Sequence, residues 1–317
     1  MLNRPAKTKR AMLAALVSAA SMVATLGLGA LPAGASGHLP VIYSTAEYGL
    51  TALAPNTPPP GADNWSCRLS AAHPYPVVLV NGTFANEDDN WQALSPLLYN
   101  NGYCVYTFNY GGPPLLGTVY GVGDIATSAS ELSSFVNQVL ASTGASRVDL
   151  VGHSQGGMMP NYYIKFLGGA SVVNDFVALA PDNHGTTIDG FTNLANFIPG
   201  VSTLVDEGLG TVCESCVEQE DGSAFITTLD NSGITAPRVN YTVVSTEYDE
   251  VVTPWQSQQL SGSNVKNIVL QNQCALDFSG HLGIAYDHIA LQDVVNALDP
   301  AQAKSPVCSF IGYETGG

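Results

Sequence analysis

One stretch of the sequence predicts the fold: Val148-Asp149-Leu150-Val151-Gly152-His153-Ser154-Gln155-Gly156-Gly157. It begins as a short apolar run of strand length, and a helix-like run from Met158 to Leu167 follows it. A Gly-x-Ser-x-Gly turn between a strand and a helix is typical of a nucleophile elbow, where strained backbone exposes the serine oxygen above the sheet edge. A glycine-rich turn with an incidental serine is the alternative interpretation.

Residues 1–35 have the pattern of a secretory signal peptide. Four basic residues within positions 4–10 precede an acid-free apolar run from Ala11 to about Leu31, and Ala33-Gly34-Ala35 offers a cleavage site. The length of the apolar run leaves an uncleaved membrane anchor as the alternative. No later stretch is long and apolar enough to span a bilayer, so we expect a secreted, extracellular protein without a stable membrane anchor.

The chain is strongly acidic, with 10 Lys and Arg against 26 Asp and Glu in 317 residues and a formal net charge of −16. Removal of the signal peptide leaves six basic residues and a net charge of −20. Such a polyanion binds nucleic acid poorly and is repelled by anionic membrane surfaces. We therefore expect no nucleic-acid partner, and attachment to lipid only through apolar surface. The length fits one large domain, expected to be a monomer.

All six cysteines lie beyond the expected signal peptide. An even number in an exported chain indicates three disulfides, which six cysteines can form in 15 ways. Cys213 and Cys216 lack the second pair or helix context of a zinc or redox motif, so a loop disulfide is expected there. Proximity along the chain favours the pairs Cys67–Cys104, Cys213–Cys216 and Cys274–Cys308.

Strand-like and helix-like segments alternate from residue 76 onward, which predicts an α/β fold with a mainly parallel central sheet flanked by helices. Functional groups are expected at the carboxyl ends of the strands. Residues 36–75 are expected to form an extended N-terminal arm, and residues 76–317 the main domain. The predicted strands are Pro76–Val80, Tyr103–Asn109, Arg147–Val151, Asp175–Ala180, Val239–Ser245 and Val265–Leu270.

Three further helices are predicted. Asp88-Asp89-Asn90 is expected to cap one that carries Trp91. The others run from about Asp124 to Leu140 and from about Asp287 to Leu298.

Residues 183–235 break the alternation of strands and helices. This segment contains several glycines and apolar clusters with few charges, and it is long for a connection. It predicts a cap or lid insertion over a site; helical excursions that pack onto the domain are the alternative.

Ser154 is expected to be a nucleophile. A serine hydroxyl needs a neutral imidazole to take its proton, and that imidazole needs a carboxylate to set its tautomer. Asp249 is the favoured acid because it follows a predicted strand by a short turn and precedes the apolar pair Val251-Val252. Asp182, which also ends a strand, is the reserve candidate, and a turn-capping role is the alternative for Asp249.

His281 is the favoured base. It lies in a loop after the last predicted strand, from which a side chain can reach over the sheet edge. His288 is the second candidate, but it begins the final helix, where the helix dipole disfavours an imidazolium. His153, directly before the serine, is expected to pack beside the site.

An oxyanion hole needs two N–H donors. Gln155, at a helix N-terminus, is expected to supply one, and Thr83, after the first buried strand, the other, with Phe84 as the next choice. Phe84 and His184 are expected to contact substrate. No metal and no cofactor is expected.

In these residues the chain resembles secreted bacterial lipases of the α/β-hydrolase superfamily, with the closest likeness to actinobacterial extracellular triacylglycerol lipases and their esterase relatives. The matching motifs extend over about residues 75–298. Taken one at a time, only the nucleophile-elbow motif is specific for the family. The motifs are Pro76–Thr83, Gly152–Gly157, Tyr248–Val252 and Gly280–Tyr286, the last similar to the catalytic-histidine loop of small Bacillus-type lipases.

The resemblance implies an α/β-hydrolase fold and cofactor-free hydrolysis of carboxylic esters. The sequence departs from the family at Asn81, where a histidine usually precedes the glycine, so no role of that histidine carries over.

The leading hypothesis is a secreted serine ester hydrolase that acts on lipid or another ester, at an oil–water interface where the substrate forms one. A cutinase-like or polyester-degrading hydrolase would use the same residues in an open cleft, and an acyltransferase would pass the acyl group to an alcohol. A non-enzymatic binding protein on a hydrolase scaffold is disfavoured because all three residues of a triad are present.

Overall fold

The fold is built on a six-stranded sheet in which all neighbouring strands pair in parallel, in the order β2-β1-β3-β4-β5-β6. The computed structural model describes residues 37–51, 54–197, 201 and 209–317. The strands are β1 Val77–Val80, β2 Val105–Thr107, β3 Val148–His153, β4 Val173–Leu179, β5 Asn240–Ser245 and β6 Val265–Val269. All six predicted strands are present, and the predicted parallel α/β architecture is confirmed.

The continuous apolar sequence of β1 reflects its place between two layers of helices. Val78 and Val80 pack into one hydrophobic cluster and Val77 and Leu79 into another, so successive side chains of one strand enter opposite cores. All four are completely buried. Burial on both faces explains why this strand carries no polar alternation.

Helices cover both faces and separate most strands. The α-helices of the described residues are α1 Ala46–Thr51, α2 Leu94–Asn100, α3 Ile125–Thr143, α4 Gln155–Phe166, α5 Ile188–Phe197, α6 Leu209–Val212, α7 Glu214–Glu218, α8 Ala224–Ser232, α9 Leu270–Gln273 and α10 His288–Leu298. Short 3₁₀ turns lie at Gly169–Ser171, Trp255–Gln258, Gly283–Tyr286 and Pro300–Gln302.

The predicted cap at Asp88-Asp89-Asn90 is wrong. Helix α2 begins at Leu94, and its N-cap residue, Ala93, makes no side-chain capping bond. Asp89 instead accepts hydrogen bonds from the backbone and side-chain amide of Asn86. These acidic residues close a buried turn after β1, and the helix starts one turn later than the polar run indicated.

Residues 38–317 form one compact unit. The predicted disulfides are confirmed: Cys67–Cys104, Cys213–Cys216 and Cys274–Cys308. The arm before residue 76 contains helix α1 and lies along β2, where Asp63 N–H donates to Val105. The expected signal peptide lies outside the described residues. Within the described ranges, no helix has the length and apolar character needed to cross a bilayer.

The segment 183–235 contains helices α5 to α8 where the structure describes it. Phe191 and Leu194 of α5 pack with Phe84 and Val119 in a third hydrophobic cluster. A backbone bridge joins Thr186 to Glu220. The described parts of the segment therefore pack beside the turn that follows β1.

Candidate active site

Ser154 lies in the turn between β3 and α4 and has a backbone conformation that side-chain-bearing residues rarely adopt, φ 55° and ψ −127°. A Cβ on Gly152 would lie 1.7 Å from the carbonyl oxygen of Gly156, and a Cβ on Gly156 would lie 2.0 Å from that of Val80. Only glycines allow this approach of helix to sheet. The sequence Gly-x-Ser-x-Gly thus forms the sharp, strained turn expected of an elbow.

The structure brings Ser154, His281 and Asp249 together. The Nε2 atom of His281 lies 2.9 Å from Ser154 Oγ, and its Nδ1 atom lies 2.9 Å from Asp249 Oδ2. The three residues come from the turn after β3, the loop before the last helix, and the turn after β5. A proton on Nδ1, directed at the carboxylate, leaves Nε2 free to accept the serine proton.

Asp249 is held in place by several donors. Its Oδ1 accepts the N–H groups of Val251 and Val252 at 2.9 and 2.7 Å, and its Oδ2 accepts Gln258 Nε2 at 2.8 Å. These bonds leave the carboxylate oriented toward His281.

The reserve acid, Asp182, differs from Asp249 in its surroundings. It is buried, and neither carboxylate oxygen has a hydrogen-bond partner among the described residues. Burial raises the pKa of Asp182 to about 7. A carboxyl without donors favours its neutral form, so Asp182 is poorly suited to stabilise an imidazolium.

The second histidine candidate, His288, lies apart from the serine. Its Nε2 atom is 3.0 Å from the carbonyl oxygen of Val307 and 3.1 Å from Ser309 Oγ, in the C-terminal segment. The structure therefore places His281, and not His288, against Ser154.

The electrostatic environment favours a charged His281. Its complete burial opposes the charge, but the Asp249 carboxylate outweighs that effect, with smaller contributions from Glu250 and Glu314, and the pKa of His281 lies above its ordinary value. A raised pKa stabilises the imidazolium that forms when the ring takes a proton. It also means that the neutral, base-competent form requires a higher pH than a free histidine does.

His153 packs beside the site, as expected. Its Nε2 donates to the carbonyl oxygen of His281 at 2.9 Å, and its Nδ1 lies 3.2 Å from Asn90 Oδ1. Burial, followed by the nearby His281, lowers the pKa of His153 to about 3. His153 is therefore a neutral support for the backbone of the histidine loop.

The turn that carries Thr83 lies beside the serine. A Cβ on Gly82, the residue before Thr83, would be 3.0 Å from Ser154 Cβ. Thr83 accepts Gln155 Nε2 at 2.9 Å and Gln219 Nε2 at 3.1 Å on its hydroxyl oxygen. Its backbone N–H has no acceptor among the described residues. Gln155 is the first residue of α4, where backbone N–H groups lack helical partners. Both groups are thus available to an oxyanion.

The alternative donor, Phe84, is already engaged. Its N–H donates to Tyr120 at 2.9 Å, and its side chain is fully buried in the third cluster. His184 also has other partners: Nδ1 lies 2.6 Å from Asp230 Oδ1 and Nε2 lies 3.1 Å from the Gln259 carbonyl oxygen. The structure does not bring the His184 ring into contact with Ser154, His281 or Asp249.

Two glutamines at the site were not predicted from the sequence. Gln219 bonds to the Thr83 hydroxyl across 136 positions of chain, and Gln258 bonds to Asp249. Neither lies in a recognisable motif, so only the fold reveals them. Within the described ranges, no group of three or more His, Cys, Asp or Glu side chains is arranged to hold a metal ion.

Comparison with known proteins agrees with this geometry. A family model described as lipase (class 2) matches residues 74–292. The chain belongs to this lipase family. The matched range contains Ser154, Asp249 and His281.

Individual relatives match in part. A triacylglycerol lipase of Pseudarthrobacter phenanthrenivorans is 40% identical over 97 residues, 29% of this chain and 28% of that protein. Lipase B of Pseudozyma antarctica is 26% identical over 243 residues, 73% of this chain and 64% of that protein. The chain thus matches about a quarter of the length of the first relative and under two thirds of the second.

A crystal structure of Aspergillus fumigatus lipase B superposes with a TM-score of 0.59 at 22% identity, covering 79% of this chain and 57% of that one. This likeness shows that the two share the α/β-hydrolase fold.

Proposed function

We propose that this lipase-family chain hydrolyses carboxylic esters through an acyl-enzyme at Ser154. The observation that carries the proposal is the unbroken hydrogen-bonded line from Ser154 Oγ through the His281 ring to the Asp249 carboxylate. His281 Nε2 takes the serine proton as Oγ attacks the acyl carbonyl, and returns it to the departing alcohol. Water, deprotonated by the same nitrogen, then releases the acid and restores Ser154.

The oxyanion formed in each step is stabilised by the Thr83 and Gln155 N–H groups. The Thr83 side chain holds this turn in place, because its hydroxyl oxygen accepts from the side-chain amides of Gln155 and Gln219 and its hydroxyl donates to the Gln219 amide oxygen. Donors that are oriented before the reaction stabilise the developing charge without reorganisation.

The apolar surroundings support lipid as the substrate class. The third cluster contains Phe84, next to Thr83, and Val251, near Asp249, while Leu282, next to His281, packs against it. These neighbours place apolar side chains next to three of the site residues, where an acyl chain would lie. Ser154 is only 4% exposed, which favours a covered site over the open cleft of a polyester hydrolase.

The described helices α5 to α8 are the proposed cover, since Phe191 and Leu194 pack beside Phe84 and Gln219 reaches Thr83. The three disulfides support a secreted protein. One chain supplies every proposed site residue, which supports a functional monomer.

The proposal is tested by initial hydrolysis rates on a soluble short-chain ester and on an emulsified long-chain triglyceride, with Ser154→Ala as the blank. Activity on both substrates that disappears with Ser154 supports a lipase with a covered site. Activity confined to the short ester supports an esterase or polyester hydrolase. A blank equal to the wild type on both substrates contradicts the proposal.

A further inference from the structure

The loop that carries His281 is held mainly by carboxylates. Of the five residues 279–283, four donate their backbone N–H to an acidic side chain: Ser279 to Asp277, His281 to Glu250, and Leu282 and Gly283 to Glu314. Such a loop keeps its shape only while those acceptors stay in place. The proposed base therefore depends on groups outside the triad.

Glu314 approaches this loop from the C-terminal tail. Its Oε1 accepts Leu282 N–H at 3.2 Å and its Oε2 accepts Gly283 N–H. Backbone bonds of Ile311 with Leu276 and Phe278, and the Cys274–Cys308 disulfide, attach the tail to the same region.

The backbone of Glu314 indicates that its side chain is needed. Its φ of 51° lies in the left-handed region, which glycine adopts without strain and which costs other residues about 1 kcal/mol or more. The turn around it, Gly312-Tyr313-Glu314-Thr315-Gly316, is otherwise rich in glycine. A strained glutamate in such a turn is most simply explained by the contacts of its carboxyl group.

Glu314 and Glu250 converge at Gly280. A Cβ at that position would lie 2.1 Å from Glu314 Oε1 and 2.9 Å from Glu250 Oε2. The absence of a side chain at Gly280 lets the two carboxyl groups meet directly behind His281. Two ionised carboxylates so close would repel each other, whereas one shared proton turns the contact into a hydrogen bond.

We propose that Glu314 is a positioning residue for His281, and that it shares a single proton with Glu250 so that release of this proton to solvent loosens the histidine loop. The proposal rests on the proposed function of His281. It assigns the C-terminal tail a part in the reaction without contact between the tail and the reacting atoms.

The groups around the pair set the sign of the pH dependence. Burial and the neighbouring Glu250 raise the pKa of Glu314 to about 8, against smaller opposing effects of His281 and the Gly283 N–H; Tyr313 also faces the pair. The shared proton is present below that pH and lost above it. At the other end of the loop, burial and Asp277 raise the pKa of Asp287 to about 8, so the test must separate the two carboxyl pairs.

Glu314→Gln makes this separation. The amide keeps the size of the side chain and can donate to Glu250 at every pH, but it has one acceptor oxygen for two loop N–H groups. Glu131→Gln is the matched control, because Glu131 also accepts a backbone N–H, from Gly111, and does not contact the loop.

Two measurements are made on each full-length protein. Amide hydrogen exchange of residues 276–287, corrected for the intrinsic rate at each pH, follows the loop without any need for activity. The pH profile of kcat/KM on a soluble ester follows the site. Wild type and Glu131→Gln should lose loop protection about tenfold between pH 6.5 and 9.5. In kcat/KM this loss opposes the gain from deprotonation of His281, whose pKa is also raised, so the ratio of kcat/KM in Glu314→Gln to that in Glu131→Gln should rise over the same range.

Glu314→Gln should start about tenfold lower in kcat/KM, because the loop loses one acceptor, and should change less than twofold in loop protection over the same range. A loss of loop protection at alkaline pH that is as large in Glu314→Gln as in wild type would overturn the proposal and assign the loss to Asp277 and Asp287. Protection of the wild-type loop that does not change with pH would overturn the proposal even if Glu314→Gln failed to fold. Absence of esterase activity in every protein would contradict the proposed function and leave the exchange result to decide on Glu314.

Discussion

The nucleophile turn and the histidine loop face each other across 2.9 Å, yet they are held in place in opposite ways. The turn at Ser154 is shaped by its own neighbours: a buried strand before it, a helix after it, and glycines that let the two approach. The loop at His281 is shaped by carboxylates 31 and 32 residues away in the chain. The first can be recognised from a short sequence motif, and the second only from the fold.

This difference separates two kinds of failure. A change in the nucleophile turn disturbs the packing of helix against sheet and so threatens the whole domain. A change in the carboxylates behind His281 disturbs the position of one ring within a folded protein. The predictions below test this contrast, from the largest expected effect to the smallest.

Ser154→Ala removes the attacking oxygen and should lower kcat on a soluble ester by roughly 10⁵- to 10⁶-fold. Because alanine is smaller than serine and fits the same space, the protein should keep its fold and its circular dichroism spectrum should stay that of wild type. Residual activity within tenfold of wild type would show that another residue is the nucleophile.

Asp249→Asn should lower kcat by about 10⁴-fold, since an amide no longer fixes the proton on His281 Nδ1 or stabilises the imidazolium. Asp182→Asn is the matched control. Its carboxyl has no partner among the described residues, and it should change kcat less than tenfold. Reversed effects of the two substitutions would transfer the role of the acid to Asp182.

Gly152→Ala should cost more than about 4 kcal/mol of unfolding free energy, because its Cβ would lie 1.7 Å from a backbone oxygen that cannot move without shifting α4. Gly280→Ala meets side-chain oxygens, which can swing away, and should cost about 1–3 kcal/mol while lowering kcat/KM. Urea unfolding and ester hydrolysis measure both. Equal losses of stability would contradict the contrast between the two regions.

The free energy of unfolding should fall by roughly 1–3 kcal/mol between pH 6 and pH 9.5. The pKa values of Glu314 and Asp287 are raised to about 8 in the folded protein, so their stabilising effect is complete below the unfolded values near 4 and is lost as pH rises through 8. Urea midpoints at the two pH values test this. A midpoint that is unchanged or higher at pH 9.5 would contradict it.

The sequence predicted most of what local pattern can encode. The six strands, the three disulfides and the strained turn at Ser154 follow from apolar runs, cysteine spacing and glycine placement. The preference for His281 over His288 came from position relative to the last strand, and the structure places His281 at the serine.

What the sequence did not predict depends on contacts between distant segments. Gln219 and Glu314 reach the site from a long insertion and from the tail, and no spacing connects them to Ser154 or His281. Asp89 is of a residue type that caps helices, but in the structure its carboxylate accepts the backbone and side-chain N–H groups of Asn86 in a buried turn. His184 pairs with Asp230, and its contact with substrate stays a prediction.

The most direct test of the proposed activity is reaction with a p-nitrophenyl alkylphosphonate, followed by peptide mass spectrometry. The phosphonate is attacked as an ester carbonyl would be and remains bound to the nucleophile. One adduct per chain, on the peptide that contains Ser154, absent from Ser154→Ala and formed far more slowly in Asp249→Asn, is the predicted result. An adduct on another residue, or none on a folded wild-type protein that hydrolyses esters, would contradict Ser154 as the nucleophile.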